Sequence, residues 1–363
     1  MFSNIFKNKK IIVTGNSGFK GSWLSIWLRN LGANVHGISY LPPSKTNMFE
    51  SLKLEDKLES FNKVNVAEDY NSLDEIISNI EPDFIFHLAA QPLVKTSYID
   101  PIKTFETNML GTLNILESLK FLNNKCTAVI ITSDKVYKNL EIKKGYKETD
   151  KLGGYDPYSA SKASAELIIQ SYIRSYFFKK KNILIGIARA GNVIGGGDWS
   201  EDRLIPDCVK SWSKNKIVLL RNPQSTRPWQ HVLESLWGYL LLSLKLEKNK
   251  KLHGEAFNFG PDNKSSYDVY SVVKLMGYFW KNVRMKKLKR KKGNLYESSL
   301  LKLNSNKAKK LLNWKTILTF NETIKLVADW YKNFYNKKDP SFITFSQIKL
   351  FMSFLKQRNR KIH

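Results

Sequence analysis

The stretch "IIVTGNSGFKGSWLSIWL", residues 11–28, decides the fold. Its apolar start is typical of a buried strand, and its second half carries tryptophans four residues apart, which is the spacing of a helix. Between them lie Gly15, Gly18 and Gly21. Glycine lets a backbone turn tightly and approach a pyrophosphate, whose charge the free N–H groups and dipole of a helix start favour. The stretch predicts a dinucleotide-binding turn; a glycine turn without a ligand is the alternative.

Strands and helices alternate after this turn. Gly32 closes the first helix, and Ser72 is the predicted N-cap of a later one. Further buried strands are predicted over residues 34–40, 83–90, 126–133 and 183–191, and helices over 72–80, 101–122 and 157–176. Each parallel crossover needs a helix, and helices on both sides bury both faces of the strands. The fold class is therefore α/β, with a doubly wound parallel sheet of the Rossmann type.

The regular alternation of strands and helices ends at about residue 190, where glycines and prolines separate shorter elements of mixed type. We predict a dinucleotide-binding domain over residues 1–190, to which residues 225–255 return. A smaller mixed α/β domain over 191–363 is predicted to bind the substrate. The basic tail contains the apolar run "FITFSQIKLFMSFL", which predicts a docked helix because the run is too short to span a membrane.

Composition restricts the classes of function. The chain has 363 residues and a formal net charge of +27, which raises the alternative of a nucleic-acid binder. The lysines are scattered in short groups without the interleaved aromatic residues that stack bases, so a solvated surface is favoured. Cys126 and Cys208 have no metal-ligand spacing and are predicted core residues. No metal site, signal peptide or membrane span is predicted, and we expect a cytoplasmic location.

The second predicted strand ends in Ser39 and Tyr40, where an Asp or Glu is expected to bind the ribose 2′-hydroxyl of NAD. This turn has no carboxylate that would exclude a 2′-phosphate and no arginine that would favour one. The sequence leaves the choice between NAD and NADP open.

Tyr158 and Lys162 are one helical turn apart in "YDPYSASKAS". A tyrosine needs its pKa lowered from about 10 to act as an acid or base, and a lysine on the same helix face lowers it. The same spacing also occurs by chance at Tyr176 and at Tyr270. Only Tyr158 lies on the helix after the strand that ends in "ITSDKVY", which would place it beside a bound nicotinamide.

That strand ends in Ser133, Asp134 and Lys135. Parallel sheets carry their chemistry at the carboxyl ends of strands. Ser133 can hydrogen-bond a substrate hydroxyl, Asp134 can donate a proton if its pKa is raised, and Lys135 can accept one if it is kept neutral. Oxidation of an alcohol needs only Ser133 and Tyr158, so the extra acid and base predict a further step.

With these residues the chain resembles the extended short-chain dehydrogenase/reductases, and within them the CDP-glucose 4,6-dehydratases. The resemblance covers nearly the whole length through "TGNSGFKGSWLSIWL", "HLAAQPLV", "TNMLGT", "TSDKVY", "GGYDPYSASKASAE", "RAGNVIGGGDWSEDRLIPD", "RPWQHV", "FNFGP" and "LKLNSNKAKKLLNW". The related dTDP-glucose dehydratases have Thr-Asp-Glu where this chain has Ser133, Asp134 and Lys135. This difference favours CDP-glucose as the substrate.

The resemblance implies an NAD-dependent hydro-lyase of deoxysugar biosynthesis. In the implied mechanism Tyr158 takes the C4 hydroxyl proton, C4 gives a hydride to NAD⁺, a base removes the C5 proton, and Asp134 protonates the departing C6 hydroxyl. The hydride then returns to C6. Besides the catalytic Ser133, Asp134, Lys135, Tyr158 and Lys162, the resemblance implies cofactor contacts at Gly15, Gly18, Phe19, Gly21, Asn65, Val66, Leu88, Ala89, Ala90 and Thr107. It implies nucleotide-sugar contacts at Gln91, Asn192, Arg203, Leu204, Arg227, His231 and Glu297.

Several alternatives stay open at this point. Lys135 is either the C5 base, made neutral by neighbouring charge, or a charged donor that steadies the enolate. A nucleotide-sugar 4-epimerase would share the glycines, Tyr158 and Lys162 without needing Asp134. A dinucleotide sensor would not need Tyr158. For His231 alone, a core histidine is the simpler interpretation. The resemblance to the family implies a homodimer or a larger homo-oligomer.

Overall fold

The strands of the protein form one large sheet and several short pairs. The computed structural model describes residues 5–40, 42, 44–220, 222–261, 267–280, 283–287 and 300–360. The described strands are β1 Lys10–Thr14, β2 Asn34–Ile38, β3 Ser60–Asn62, β4 Phe84–His87, β5 Cys126–Ile131, β6 Ile183–Ala190, β7 Val193–Ile194, β8 Val218–Leu220, β9 Thr226–Arg227, β10 Gln230–His231, β11 Ala256–Phe259, β12 Tyr267–Asp268 and β13 Met285–Lys287.

The described α-helices connect these strands. They are α1 Phe19–Asn30, α2 Met48–Ser51, α3 Tyr70–Ile80, α4 Val94–Ile99, α5 Pro101–Phe105, α6 Gly111–Phe121, α7 Pro157–Tyr172, α8 Leu204–Trp212, α9 Val232–Lys248, α10 Val269–Trp280, α11 Phe320–Tyr335 and α12 Pro340–Arg360.

The central sheet has seven strands in the order β11-β6-β5-β4-β1-β2-β3, and each neighbouring pair is parallel. The order reverses between β1 and β4, so the chain leaves the carboxyl ends of these two strands toward opposite faces of the sheet and a crevice opens there. The predicted fold class is confirmed: a doubly wound parallel sheet with helices on both faces.

Two apolar cores cover the two faces of the sheet. Along β1, Ile11 and Val13 face the larger core with α1, α9 and α12, whereas Ile12 faces the smaller core with α3, α6 and α7. This alternation follows from the two-residue period of a strand. Both cysteines are free and buried, as predicted.

The helix boundaries differ from the sequence predictions in two respects. Ser72 is not the N-cap of α3; Asp69 caps it by accepting a hydrogen bond from the Ser72 N–H at 3.1 Å. The helices predicted over 101–122 and 157–176 each contain a π-helical turn, at Glu106–Leu110 and Ile173–Phe177. One extra residue per turn leaves no mark in an apolar pattern, so the sequence did not indicate these turns.

The chain returns to the sheet after the short elements that follow β6. Helix α9 packs on β5 and β6, and β11 adds the last strand beside β6. The contact between α9 and β6 is close at Gly186, where a Cβ would lie 3.2 Å from both Leu242 and Leu246. The predicted division into two domains at residue 190 stays a prediction.

Helix α12 docks on the outside of α1 and α11. The ring of Phe351 is fully buried and meets Trp27 edge to face at 5.8 Å between centroids. The Nε1–H of Trp330 donates to the Thr344 hydroxyl at 3.0 Å, which fixes the register. The tail is therefore a docked helix, as predicted. Among the described residues, no helix has both the length and the apolar character that crossing a bilayer requires.

We predict that Phe351→Ala lowers the free energy of unfolding by about 3 kcal/mol, because it leaves a cavity against Trp27. The matched control is Phe342→Ala on the same helix, where the ring is 66% exposed and the expected change is within about 0.5 kcal/mol. Urea unfolding followed by tryptophan fluorescence measures both. Equal losses would contradict the docked arrangement.

Candidate active site

The crevice between β1 and β4 is held by a chain of hydrogen bonds. The Thr14 hydroxyl lies 2.7 Å from His87 Nδ1 and accepts from the Ala89 N–H at 3.2 Å, while His87 Nε2 lies 3.2 Å from the Thr112 hydroxyl. Because the Thr112 hydroxyl donates to Asn108 O, we assign the ring proton to Nε2. Burial, and then the charge of Lys162, lower the pKa of His87 to about 3, so the ring stays neutral.

The glycine turn leads out of this crevice into α1. Gly15 has φ +70°, and a Cβ there would lie 2.7 Å from Ala89 N. A Cβ on Gly21 would lie 2.1 Å from the carbonyl oxygen of Gly15. Within the described part of the chain no side chain caps α1 at Gly18, so the first N–H groups of the helix are left for a ligand. Turn and helix start therefore fit a dinucleotide pyrophosphate.

The other predicted cofactor residues lie on several elements, and their contacts with a cofactor stay predictions. Leu88, Ala89 and Ala90 follow directly on β4, and Phe19 is half-buried. Asn65 lies beyond β3 and accepts a hydrogen bond from the Ala67 N–H at 3.1 Å. Two more lie at a helix contact: Val66 is buried beside Gly111, and Thr107 lies in the π-helical turn before Gly111.

Ser133, Asp134 and Lys135 lie directly after β5, as predicted. The Ser133 hydroxyl donates to Asp134 Oδ1 at 3.0 Å and accepts from the Lys135 N–H at 3.2 Å. The Ser133 hydroxyl also acts on Tyr158 by lowering the pKa of its phenol, and the turn packs against α7. The structure thus brings Ser133, Asp134 and Tyr158 together, with Lys135 half-buried beside them.

Asp134 is 6% exposed and is confined by the end of β6. A Cβ on Gly191 would lie 2.8 Å from its Oδ2. Burial raises the pKa of Asp134 above its ordinary value, against the opposing effects of Lys135, Ser133, Lys20 and Arg227. A carboxyl with a raised pKa is suited to donating a proton.

Tyr158 and Lys162 are both buried on α7. Burial lowers the pKa of Lys162 to about 8, and Lys162 Nζ lies 3.4 Å from Ile131 O. The sequence argument that Lys162 lowers the pKa of Tyr158 needs correction. Burial raises that pKa to about 12, and the groups that lower it most are the Ser133 hydroxyl and the charge of Arg203. The pairs at Tyr176 and Tyr270 lie elsewhere, in a π-helical turn and on α10.

Four of the seven predicted nucleotide-sugar residues lie after β6, at the start of α8 or on β9. Arg203 precedes α8, with its guanidinium 2.9 Å from Asp198, and Leu204 begins that helix. Arg227 lies on β9 and acts electrostatically on Asp134. Asn192 is half-buried and accepts from the Gln230 N–H at 3.3 Å.

Two of the remaining predicted residues are engaged internally. Gln91 donates to Leu93 O within its own loop and to the Thr104 hydroxyl of α5. His231 is fully buried: its Nδ1 accepts from the Leu233 N–H at 3.3 Å and its ring meets Trp23 edge to face. Its Nε2 has no hydrogen-bond partner among the described residues, so the prediction that His231 lines the sugar site stays a prediction beside the alternative of a core histidine. Glu297 lies outside the described residues.

Sequence reasoning missed Lys20, the second residue of α1. Its ammonium group lies 3.4 Å from the Tyr239 hydroxyl and interacts electrostatically with Asp134, Lys162 and Arg203. Burial and the two cations lower its pKa to about 8, against the effect of Asp134. A signal was available: Lys20 is the one charged residue between two glycines of the turn, where most neighbours are apolar or small.

Sequence reasoning also missed a buried ion pair behind the site. Glu166, one turn after Lys162, binds Arg189 of β6 in a pair that is almost fully buried, with Arg189 Nε 2.8 Å from Glu166 Oε1. The Thr132 hydroxyl donates to Glu166 at 2.6 Å, and Arg189 donates to the Tyr137 hydroxyl at 2.6 Å. Thr132 and Tyr137 flank the turn of Ser133, Asp134 and Lys135, so the pair fixes both ends of that turn.

A parallel sheet with a glycine turn at its switch point and a Tyr–Lys pair beyond β5 defines an extended short-chain dehydrogenase/reductase. Solved structures support this fold. An epimerase of Methanothermobacter thermautotrophicus matches with a TM-score of 0.78 and 23% identity over 93% of this chain and 96% of its own. A dTDP-glucose 4,6-dehydratase of Bacillus anthracis, in complex with NAD, matches with a TM-score of 0.74 and 22% identity over 92% and 99%.

The model of the family described as GDP-mannose 4,6 dehydratase matches residues 12–327, and the chain belongs to this family. Among curated relatives, a CDP-glucose 4,6-dehydratase of Salmonella typhimurium is 39% identical over 354 residues, covering 96% of this chain and 98% of that protein. The resemblance found in the motifs is thereby confirmed.

We predict that Glu166→Gln lowers the free energy of unfolding by about 3–5 kcal/mol, because it leaves the Arg189 charge buried without its partner. Replacing both residues, as Glu166→Leu with Arg189→Met, is expected to recover most of this loss. Asp329→Asn, which breaks a pair with Lys325 on the surface of α11, is the control and is expected to cost less than about 1 kcal/mol. A similar urea midpoint for Glu166→Gln and Asp329→Asn would contradict the role given to the buried pair.

Proposed function

We propose that the protein is an NAD-dependent CDP-glucose 4,6-dehydratase, a hydro-lyase that converts CDP-D-glucose into CDP-4-keto-6-deoxy-D-glucose. One observation carries the proposal: Ser133, Asp134 and Lys135 lie beside Tyr158 in a chain that is 39% identical, over 96% of its length, to a CDP-glucose 4,6-dehydratase. A reaction confined to C4 would need no buried acid at this turn.

The glycine turn supports the choice of cofactor class. Gly15, Gly18 and Gly21 would hold the pyrophosphate at the start of α1, with Leu88 and Ala89 against the rest of the dinucleotide. When bound, NAD⁺ accepts the hydride from C4, returns it to C6 and adds a positive charge beside Tyr158. At the end of β2 the Ser39 hydroxyl accepts a hydrogen bond from the Ser17 N–H at 3.1 Å.

In the first step Tyr158 takes the proton of the C4 hydroxyl. Because burial raises the pKa of Tyr158 to about 12, its phenolate needs stabilisation, which the Ser133 hydroxyl and the Arg203 charge supply. Lys162 lies one turn away and holds the carbonyl oxygen of Ile131, so it also orients the end of β5. The ketone formed at C4 makes the C5 proton acidic.

In the second step water is eliminated. The C5 proton leaves to a base, the C5–C6 double bond forms, and the C6–O6 bond breaks as Asp134 donates a proton to O6. Lys135 is the proposed group at C5, as the base or as the charged donor that steadies the enolate. The water takes the proton of Asp134, and the Asp134 carboxylate remains.

Positive side chains support a nucleotide-diphosphate substrate. Lys20, Arg203 and Arg227 each act electrostatically on the groups around Asp134 and Tyr158. A guanidinium binds phosphate oxygens in pairs. We assign the diphosphate to Arg227, and Asn192 and Leu204 to the walls of the sugar site.

The assembly, place and pathway of the enzyme are part of the proposal. Exposed apolar side chains lie on adjoining helices, with Ile99 on α4, Ile102 on α5 and Leu167 on α7. Such a surface supports a homodimer. The two free cysteines fit a reducing compartment, in keeping with a cytoplasmic enzyme of deoxysugar biosynthesis.

The test uses CDP-glucose that carries deuterium at C4, with NAD, beside the UDP, dTDP and GDP analogues. Loss of one water from the CDP sugar with the deuterium moved to C6, read by mass spectrometry and NMR, is the expected result. Water loss from another nucleotide sugar alone would overturn the substrate. Inversion at C4 without water loss would instead establish a 4-epimerase.

We predict that Asp134→Asn lowers kcat for water loss by about 10²-fold or more, because the leaving hydroxyl loses its proton donor. Exchange of deuterium between C4 and the cofactor is expected to persist, since it needs Tyr158 rather than Asp134. Asp56→Asn, at an exposed position, is the control and is expected to retain full activity. An Asp134→Asn enzyme that dehydrates normally would refute the assigned acid.

We predict that Gly21→Ala weakens NAD binding far more than Gly18→Ala. A Cβ on Gly21 would lie 2.1 Å from the backbone oxygen of Gly15, whereas a Cβ on Gly18 would lie 3.2 Å from the same atom. Isothermal titration with NAD measures both, and circular dichroism checks that both variants fold. An affinity equal to that of the wild type in a folded Gly21→Ala variant would argue against a phosphate site at this turn.

A further inference from the structure

Two lysine groups that are far apart in the sequence lie side by side in the fold. They are "FFKKKN", residues 177–182, and "KLEKNKK", residues 245–251. The first leads into β6, and the second ends α9 and leads toward β11, which pairs with β6. The Gly254 N–H donates to Ile185 O at 2.8 Å, and the Ile185 N–H donates to His253 at 3.0 Å. The two groups therefore meet at the amino ends of these strands.

A third segment, which leads into β5, joins the other two. Asn182 donates to Leu122 O at 3.1 Å and to Asn124 O at 3.0 Å. Lys125 forms an ion pair with Glu247 at 3.3 Å. The three segments thus form one surface at the amino ends of β5, β6 and β11. We call it the basic edge, and its exposed cations are Lys125, Lys179, Lys181, Lys248, Lys250 and Lys251.

The charge of this surface is strongly one-sided. Ten basic and three acidic residues occur in the segments that build it, residues 117–125, 172–182 and 245–255. Each acid is held in an ion pair with a lysine, as Glu117–Lys120, Glu247–Lys125 and Glu255–Lys307. The remaining lysines repel one another, and an anionic partner relieves that repulsion.

Aromatic rings project from the same surface. The side chain of Phe178, which directly precedes Lys179, is 78% exposed, and that of Phe121 is 59% exposed. Lys120 Nζ lies 5.0 Å from the centre of the Phe121 ring and 4.6 Å from that of Tyr176, so these two rings flank one lysine. Exposed phenyl rings gain free energy when they leave water. Rings among lysines are suited to a bilayer interface, where the rings enter the headgroup region and the lysines meet anionic lipids.

We propose that the basic edge docks on the surface of an anionic lipid bilayer, with Phe121 and Phe178 inserted among the headgroups. The lysines and rings come from separate loops, which suits the fluid surface of a bilayer better than the fixed phosphate spacing of a nucleic acid. Lysine supplies compact charges without the paired geometry by which arginine recognises individual phosphates. The inference goes beyond the proposed function and does not depend on which reaction the enzyme catalyses.

The position of the basic edge keeps the candidate active site free. Lys125 directly precedes β5, whereas Ser133 and Asp134 follow it. The strand between them has six residues and is therefore about 20 Å long. A protein that docks through the amino ends of the strands presents their carboxyl ends to water. The crevice then stays open to dissolved substrate.

The experiment measures co-sedimentation of the whole chain with lipid vesicles over a range of lipid concentrations. One set of vesicles is pure phosphatidylcholine, and the other contains one third phosphatidylglycerol. The charge variant is Lys179→Gln with Lys181→Gln, and the ring variant is Phe178→Ser. The matched controls are Lys143→Gln with Lys144→Gln and Leu140→Ser. These three residues are exposed in the loop that follows the turn of Ser133, Asp134 and Lys135, near the opposite edge of the sheet.

The wild type is expected to bind the anionic vesicles, to bind them less as salt rises, and to leave pure phosphatidylcholine unbound. A lysine beside an anionic bilayer contributes about fivefold in affinity, so the charge variant is expected to bind about 25-fold more weakly. The ring variant is expected to lose about tenfold. Both controls are expected to bind as the wild type does. Circular dichroism checks that every variant is folded.

Equal affinities of the charge variant and its lysine control would overturn the inference. Equal binding of the wild type to both kinds of vesicle would overturn it as well, because charge would then play no part. A wild type that binds a DNA duplex or an RNA strand but no vesicle would assign the basic edge to nucleic acid instead. The assay contains no nucleotide sugar, so its result is separate from the test of the proposed function.

Discussion

The buried ion pair of Glu166 and Arg189 is the constraint on which the site depends. Taking two charges out of water is costly, and here the cost is offset by further hydrogen bonds: Thr132 donates to the acid, and Tyr137 and the Glu148 carbonyl oxygen accept from the base. The pair links α7 to β6, and through Tyr137 and Asn258 to β11 as well. The turn of Ser133, Asp134 and Lys135 lies between Thr132 and Tyr137, so this network holds both of its ends.

The parallel sheet supplies a second constraint. Beyond the carboxyl ends of β1 and β4 lie the glycine turn and the start of α1, and the segments that follow β5 and β6 leave the same edge of the sheet. A hydride acceptor and a proton-transfer centre can then be close neighbours although they come from distant residues. Elimination requires this closeness, since the electrons that leave C4 must return to C6 before the intermediate escapes.

Local patterns predicted the fold and the turn that follows β5, because a strand, a glycine turn and a helix are each specified by neighbouring residues. Tyr158 and Ser133 were also predictable, since both sit at fixed places after β5. What could not be predicted depends on tertiary contact: whether His231 points into the crevice or the core, and where Lys20 directs its charge. Burial also changed the pKa of Tyr158 in the direction opposite to the one inferred from its neighbour on the helix, since the cost of desolvation is invisible in sequence.

The contact of Phe351 with Trp27 joins one of the last helices of the chain to one of the first. During synthesis, the ribosome releases α1 long before α12, so the Phe351 ring does not cover Trp27 in that interval. The nascent chain therefore carries an exposed indole on the helix that begins the phosphate turn, and it is vulnerable to association with other chains at that stage. Long-range contacts of this kind also slow folding, because two distant parts of the chain must meet before their contact can stabilise the fold. Chaperone demand and the yield of soluble protein should therefore respond to changes near residue 351 as strongly as to changes in the glycine turn.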